Sequence, residues 1–528
     1  MFPVALEMTQ LEASATEKLG EVNFPVSCTA DARHQFNRAV ALLHSFWYDE
    51  AVKAFTAVGQ TDPNCSMAYW GIAMSLWHSL WEAPDEPTLR RGREAVEKAK
   101  TLGPKTNRER DFINAIDAYY GEGGKRDNRT RAIAYEKEME KLHLRYPDDQ
   151  EAAVFYALSL DATAMPSDKT FSHQRKAGKI LEKVFAANPL HPGAAHYIIH
   201  SYDYPPLASM ALEAARKYAQ IAPSSPHALH MPSHIFTRLG LWHESIESNR
   251  ASSAASKAYV AKTDPGAAYF EDLHALDYLM YAYLQGAQDN EARKVLGQVT
   301  GFERAQPENF AAAYAFTAIP ARYTLEQGRW ADAALLALHP ASFPWDRFRF
   351  AEANLIFARA VGAARSNNVP LARREVEALQ SIQAALSEAK LTYWADQVDI
   401  QRTAAAAWLL HAEGKNDDAL SMMRSAAHLE DSTDKHPVTP GYILPSRELL
   451  GDMLMELNRP ADALAEYEAS LGSQPNRFRS LYGAAHAAEL SGDRNKAATY
   501  FSSLIKVSEQ GDAERPEIRK AKEYLIAR

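Results

Sequence analysis

Apolar residues recur three and four positions apart along most of this chain. In residues 32–63, for example, two such runs are separated by the short polar break YDE, and the second run ends on Pro63. This spacing predicts two amphipathic helices joined by a tight turn. No run alternates apolar and polar residues as a half-buried strand would. The pattern therefore predicts an all-α protein.

A second pattern repeats every 34 residues. His196 and His200 are four positions apart, and His230 and His234 repeat that pair one period later. Pro189 and Pro192 recur with the same offset, and so does His44 at position 78. A period of about 34 residues is typical of helix–turn–helix units that stack into a solenoid. The two histidine pairs are therefore expected at equivalent positions of consecutive repeats.

Several segments carry a more specific signature, namely YDEAVKAF…DP, LGLWHESI, QGRWADAAL and SGDRNKAATYF. They resemble the tetratricopeptide-repeat (TPR) proteins, and the length suggests a long solenoid of the bacterial type. The resemblance implies a superhelix of antiparallel helix pairs whose first helices line a concave groove. We divide the chain into an irregular segment (1–31), TPR-like repeats with a histidine-rich groove (32–338) and C-terminal helical repeats (339–528), which include a long loop at 429–445.

The repeat positions that face the groove in the resembled family fall on His196, His200, His230 and His234. Residues four apart on one helix lie about 5–6 Å from each other, and packed helices lie about 8–10 Å apart. We therefore expect the four imidazoles to converge on one point and to bind a divalent transition metal. Imidazole suits Zn, Cu or Fe without distinguishing them. Candidates for catalytic roles, for extra ligands or for outer-sphere acceptors are Asp203, His227, His274 and Asp277.

Three functions fit this groove. The first is a metal-binding solenoid, potentially a metalloenzyme acting on a small molecule or peptide. The alternative is a metal-free scaffold that binds a peptide or protein partner, as the TPR resemblance implies. A third is a metal-free enzyme that uses histidine as acid and base. Chelation should abolish only the first function.

The composition and the apolar pattern of the chain disfavour some classes of partner and some locations in the cell. The net charge of −9 and the pI near 6.1 disfavour a nucleic-acid surface. The sequence contains no apolar run long enough to span a membrane. The start, MFPVALEMTQLEAS, lacks the basic and apolar regions of a secretory signal. We therefore expect a cytoplasmic protein, or a periplasmic one if a signal peptide has been removed. The oligomeric state stays open.

Three smaller expectations concern single residues. Cys28 and Cys65 could form one disulfide in an oxidising compartment, but two separate half-buried thiols are the preferred interpretation. His191 is assigned to a connector. The loop around His436 is preferred as a spacer, with a cover over the groove as its alternative.

Overall fold

The computed structural model describes residues 17–81, 83–121, 126–512 and 515–527. Residues 1–16 of the expected irregular segment lie outside this description, and residues 17–29 contain no helix. Helices of the first half are α1 (Ala30–His44), α2 (Tyr48–Thr61), α3 (Ser66–Ser75), α4 (Glu86–Leu102), α5 (Asn107–Tyr120), α6 (Asn128–Arg145), α7 (Gln150–Thr163), α8 (Ser172–Ala187), α9 (Pro192–Tyr202), α10 (Leu212–Ile221), α11 (Pro226–His230), α12 (Pro232–Arg238) and α13 (Trp242–Thr263).

Helices of the second half are α14 (Phe270–Gln285), α15 (Asp289–Val299), α16 (Phe310–Leu325), α17 (Trp330–Ala333), α18 (Arg349–Arg365), α19 (Val369–Glu388), α20 (Thr392–Ala412), α21 (Asn416–Ser432), α22 (Ser446–Glu456), α23 (Pro460–Ser473), α24 (Phe478–Leu490), α25 (Arg494–Val507) and α26 (Pro516–Ile526). Short 3-10 helices occupy Ala208–Ala211 and Trp345–Arg347. Two strands that the sequence did not predict, β1 (Ala268–Tyr269) and β2 (Ala305–Gln306), pair in parallel.

Consecutive helices form pairs, and the pairs stack. Helix α1 packs on α2, α18 on α19, and α24 on α25, while the first helices α14, α16, α18 and α20 contact one another in succession. Small residues allow this close stacking. Gly71 on α3 lies against the ring of Phe55 on α2, and Gly483 on α24 lies against Tyr467 on α23. The predicted all-α, TPR-like helical solenoid is thus confirmed.

The solenoid curves far enough for its last repeats to meet the middle ones. Helix α14 contacts α24, and the indole of Trp242 donates to the backbone oxygen of Asn476 at 2.9 Å. The fully buried Arg477 joins Glu326, Glu448 and the hydroxyl of Tyr281 at 2.8–3.0 Å. Such buried ion pairs hold position only when every charge finds a partner. These contacts hold the last repeats against the middle of the solenoid.

Two expectations from the sequence were wrong. The long loop, which runs from 433 to 445 between α21 and α22, lies over the groove instead of acting as a spacer: Lys435 reaches Asp203, and Gly441 accepts a hydrogen bond from Arg322. Cys28 and Cys65 are joined in a disulfide instead of being separate thiols. It ties the segment before α1 to the start of α3.

No helix in the described ranges is long and apolar enough to cross a membrane.

Candidate metal centre

Six buried histidines lie together behind loop 433–445, in two groups of three. The first group is His196, His200 and His227, and the second is His230, His234 and His274. In each group, one potential ligand atom from every member lies within 4.8 Å of the others.

This arrangement corrects the expected single point formed by four rings. His227 lies one helical turn before His230 and therefore joins the pair from α9, while α14 supplies His274 to the other pair. The sequence named all six residues, with His227 and His274 as candidates for extra ligands or outer roles beside the four expected ligands.

The helices that carry these rings begin in the same way. His191 caps α9 by accepting a hydrogen bond from the backbone of Ala194, and Pro192 follows at the first helical position. Ser225 caps α11 in the same manner, and Pro226 follows. This cap–proline start explains the equal phase of the two repeats.

Helix α11 ends at His230, and Pro232 starts α12. Met231 between them keeps right-handed helical angles, φ −52° and ψ −36°. His230 and His234 therefore still share one face across the break.

The His230–His234 pair has the most informative hydrogen bonds. Asn249 donates through Nδ2 to the backbone oxygen of Ser245 at 2.7 Å, so its Oδ1 accepts from His230 Nδ1 at 2.6 Å. His234 Nδ1 lies 3.1 Å from a carboxylate oxygen of Asp203 and donates to it. Each ring therefore carries its proton on Nδ1 and a lone pair on Nε2. The two Nε2 atoms face each other at 3.0 Å.

The first group has similar outer contacts. His196 Nδ1 donates to the backbone oxygen of His44 at 2.6 Å, which leaves a lone pair on Nε2, 3.1 Å from His200 Nε2. His227 Nδ1 lies 3.3 Å from Glu271, and its buried Nε2 has no hydrogen-bond partner among the described residues. Partners of this kind fix the tautomer and orientation of metal-binding histidines.

Asp203 connects the second group to charged residues. Arg238 donates to it at 2.7 Å and Lys435 at 3.0 Å. Burial would raise the pKa of Asp203, but Lys435 and Arg238 outweigh burial and hold the pKa well below its usual range. The carboxylate is therefore ionised and accepts the proton of His234 Nδ1.

Burial dominates the acid–base behaviour of the rings. It lowers the pKa of His196, His200, His230 and His274 well below the usual value, with neighbouring histidines adding to the effect. Burial also lowers the pKa of His234 to about 4, although Asp203 opposes it. Neutral imidazoles are the form that binds metal ions.

Asp277, the remaining candidate, lies elsewhere. It forms a buried ion pair with Arg322, whose second nitrogen donates to the backbone oxygen of Gly441 at 2.7 Å. Asp277 belongs to neither histidine group. Its contacts anchor loop 433–445 to α14 and α16.

A third buried group, His44, Glu151 and His191, was missed because sequence reasoning placed His191 in a connector. The ring nitrogens of both histidines have hydrogen-bond partners within the protein, so this group needs no metal. His191 Nδ1 accepts from Ala194, so Nε2 donates to Glu151 at 3.2 Å. His44 Nε2 donates to the same carboxylate at 2.8 Å, and its Nδ1 lies 3.1 Å from the hydroxyl of Tyr197. We interpret this group as a structural network.

Two cavities adjoin the histidines. A cavity of about 710 Å³ reaches the first group at His200, which is 8% exposed, the largest value among the six. Asp203, Arg238, Trp394 and Lys435 also line it. A smaller aromatic cavity of about 130 Å³ reaches His274. Small molecules could therefore approach both groups.

No protein family model and no curated protein sequence matches this chain. Similar solved structures include yeast Tom70 (12% identity, TM-score 0.34, covering 94% of this chain and 96% of that one). Others are a human IFIT1 dimer with m7Gppp-AAAA (11%, 0.38, 84% and 90%) and Naa15/Naa10 bound to HypK-THB (12%, 0.25, 94% and 73%). Because these TM-scores are low, we infer nothing about function from the similarities.

Proposed function

We propose that this protein binds a pair of divalent transition-metal ions, one at each histidine group. The observation that carries the proposal is the contact between His230 and His234. Their Nε2 lone pairs face each other at 3.0 Å while both Nδ1 protons are engaged elsewhere. Two buried lone pairs in contact are unfavourable without a positive charge between them. A metal ion at this position would satisfy both.

The donor set agrees with this interpretation. Every member of the two groups is an imidazole, which suits Zn, Cu or Fe better than Mg or Ca. Glu271 lies behind His227 and would balance part of the added charge, while Asp203 holds His234 in its orientation. Three protein ligands per ion would leave a coordination position open for a water or substrate. When bound, such ions would supply Lewis-acid chemistry or activate a bound water or oxygen.

The scaffold alternative is less well supported at this face. Loop 433–445 occupies the groove in front of the histidines, and the Tyr278 hydroxyl donates to the backbone oxygen of Thr439 at 3.1 Å. A peptide lying along this face would have to displace the loop together with its buried contacts to Asp203 and Arg322. A small molecule in the adjoining cavity requires no such displacement.

The disulfide between Cys28 and Cys65 indicates the kind of compartment in which the protein resides. Disulfides persist in oxidising compartments and are rare in the cytosol. We therefore favour the periplasmic alternative over the cytoplasmic expectation.

Elemental analysis of the purified protein tests the proposed function. Two ions per chain, removable by a chelator, are the expected result. A protein that takes up no transition metal from solution would leave the scaffold and the metal-free enzyme as the remaining functions.

A further inference from the structure

The cavity of about 710 Å³ lies between the loop after α7 and the segments around α20 and α21. Its volume is within the range that accommodates small organic ligands, roughly 300–1,000 Å³. At its inner end it reaches His200 and Asp203. The side chains of Tyr204, Tyr393 and Trp394 contribute an apolar wall. The cavity is therefore a chamber that opens onto the proposed metal centre.

The charges that line this chamber are unequal. Its cations, Arg238 and Lys435, are both paired with Asp203. Asp434 is paired with Lys169 at 2.7 Å. Across the described ranges, no cation is paired with the two other acidic residues of the lining, Asp161 and Asp396. Asp203 balances only one of its two cations, so unbalanced positive charge lies beside Asp203, whereas the acidic groups without a cationic partner are Asp161 and Asp396 at other positions of the lining.

Two buried polar atoms in the wall also lack partners. Asp161 accepts from Ser201 at 2.7 Å through one carboxylate oxygen, but its other oxygen has no hydrogen-bond partner within the described residues. The hydroxyl of Ser79 is likewise unpartnered there. An unsatisfied buried oxygen is costly, and the cost is removed when a ligand donates to it. Burial raises the pKa of Asp161 well above its usual value, so the carboxyl is neutral without a ligand and would ionise against a bound cation. Asp396 stands exposed on the same lining.

We propose that this chamber binds a small organic amine, with its ammonium group on Asp161 and its apolar body along the aromatic wall. The inference rests on the proposed function only for the role of His200, because the charge and hydrogen-bond arguments do not require a metal. Positive charge at the histidine groups would repel the ammonium group, so the amine end should lie at Asp161 and the opposite end should face the ions.

A matched pair of probes tests the charge requirement. Phenethylamine and phenethyl alcohol share a skeleton and differ in the ammonium group. Calorimetric titration of the metal-loaded protein should show binding of the amine at least about tenfold tighter, because a charge-assisted hydrogen bond exceeds a neutral one by roughly that factor. Equal affinities, or no binding of either probe, would overturn the proposal.

Two variants locate the binding. Asp161→Asn keeps the shape and removes the carboxyl group that would ionise against the ammonium group, and it should weaken amine binding about tenfold while leaving alcohol binding unchanged. Asp346→Asn, whose side chain is fully exposed, is the matched control and should change neither. Ala164→Phe should obstruct the chamber close to Asp161 and weaken binding of both probes, whereas Ala187→Phe on the exposed surface of α8 should not.

Metal content is measured on the same samples to separate the two proposals. If Asp161→Asn still binds two ions but has lost its preference for the amine, both proposals are supported. If the wild-type protein binds no metal yet prefers the amine through Asp161, the chamber stands and the metal centre fails. If Asp161→Asn prefers the amine as strongly as the wild type does, the chamber proposal fails alone.

Discussion

Lys435 donates a hydrogen bond of 3.0 Å to Asp203, the carboxylate that also accepts the Nδ1 proton of His234. The two residues are 232 positions apart in sequence. Through this contact the late loop fixes the orientation of a proposed metal ligand that belongs to an early repeat. The second half of the solenoid therefore contributes a residue, Lys435, to the surroundings of the histidine groups in the first half.

Replacing the lysine tests this connection. Lys435→Met should destabilise the protein by about 1–3 kcal/mol, because it removes a charged partner from a buried carboxylate. It should also speed metal release to a chelator. Urea unfolding and release kinetics measure the two effects.

Lys169→Met is the matched control, because Lys169 pairs with the neighbouring Asp434 at an exposed site. Exposed pairs contribute about 0–1 kcal/mol. If the two variants behave alike, Lys435 has no special role in the centre.

The carboxylate itself is expected to tune metal affinity. Asp203→Asn keeps the size of the side chain but weakens its hold on the His234 Nδ1 proton. Loss of such an outer partner typically lowers metal affinity about 10–100-fold. Competition with a chromophoric chelator measures the change. An unaltered affinity in a folded Asp203→Asn protein would show that the charge of Asp203 does not tune the proposed metal site.

A separate prediction concerns pH and uses a histidine outside both groups. Burial lowers the pKa of His78 to about 4, so His78 stays neutral in the folded protein and becomes protonated in the unfolded chain below about pH 6.5. The unfolded state then binds the extra proton, and stability falls as the pH drops from about 6.5 to about 4.

The size of this loss of stability follows from the lowered pKa of His78. Between pH 7.5 and pH 5, His78 should cost the wild type about 2 kcal/mol, at 1.36 kcal/mol for each pH unit below about 6.5. The variant His78→Phe lacks this loss, and its aromatic ring can retain the stacking on Tyr48. The free energy of unfolding of the wild type minus that of the variant should therefore shrink by that amount in denaturant titrations. A constant difference would contradict the assignment.

The disulfide should contribute measurably to stability. Cys28 and Cys65 close a loop with a sequence separation of 37 residues. Cross-links over such loops stabilise proteins by about 3–4 kcal/mol, mainly by restricting the unfolded chain. Replacing both cysteines with serine, or reducing the protein, should lower Tm. An oxidised and a reduced sample with the same Tm would contradict a stabilising role for this disulfide.

The repeat period predicted that the two histidine pairs lie close together, because the phase of residues within a repeat is a local property. Equal spacing of His196 and His230 within their repeats depends only on the cap–proline start of each helix, which the sequence displays. The all-α solenoid follows from the same periodicity. The inclusion of His227 and His274 in the groups depends on how far neighbouring helices are offset, and this offset is set by packing that the period does not specify.

The repeat pattern could not predict contacts between residues far apart in the sequence. Nothing near position 435 in the sequence indicates that Lys435 reaches Asp203, because that contact depends on the curvature accumulated over several repeats. His191 was misassigned for a related reason: its partner Glu151 is 40 residues away in the preceding helix pair. The sequence analysis preferred two separate thiols over the disulfide because it expected a cytoplasmic protein, and disulfides are rare in the cytosol.

Metal stoichiometry is the most direct test of the central claim. Metal-free protein titrated with Zn²⁺ or Cu²⁺ and then analysed for elemental content should bind two ions per chain. His234→Ala and His200→Ala should each lose one ion, while His243→Ala, at an exposed position on α13, should retain both. A wild-type protein that binds no ion, or variants of His200 and His234 that bind as many as His243→Ala, would contradict the two-site centre.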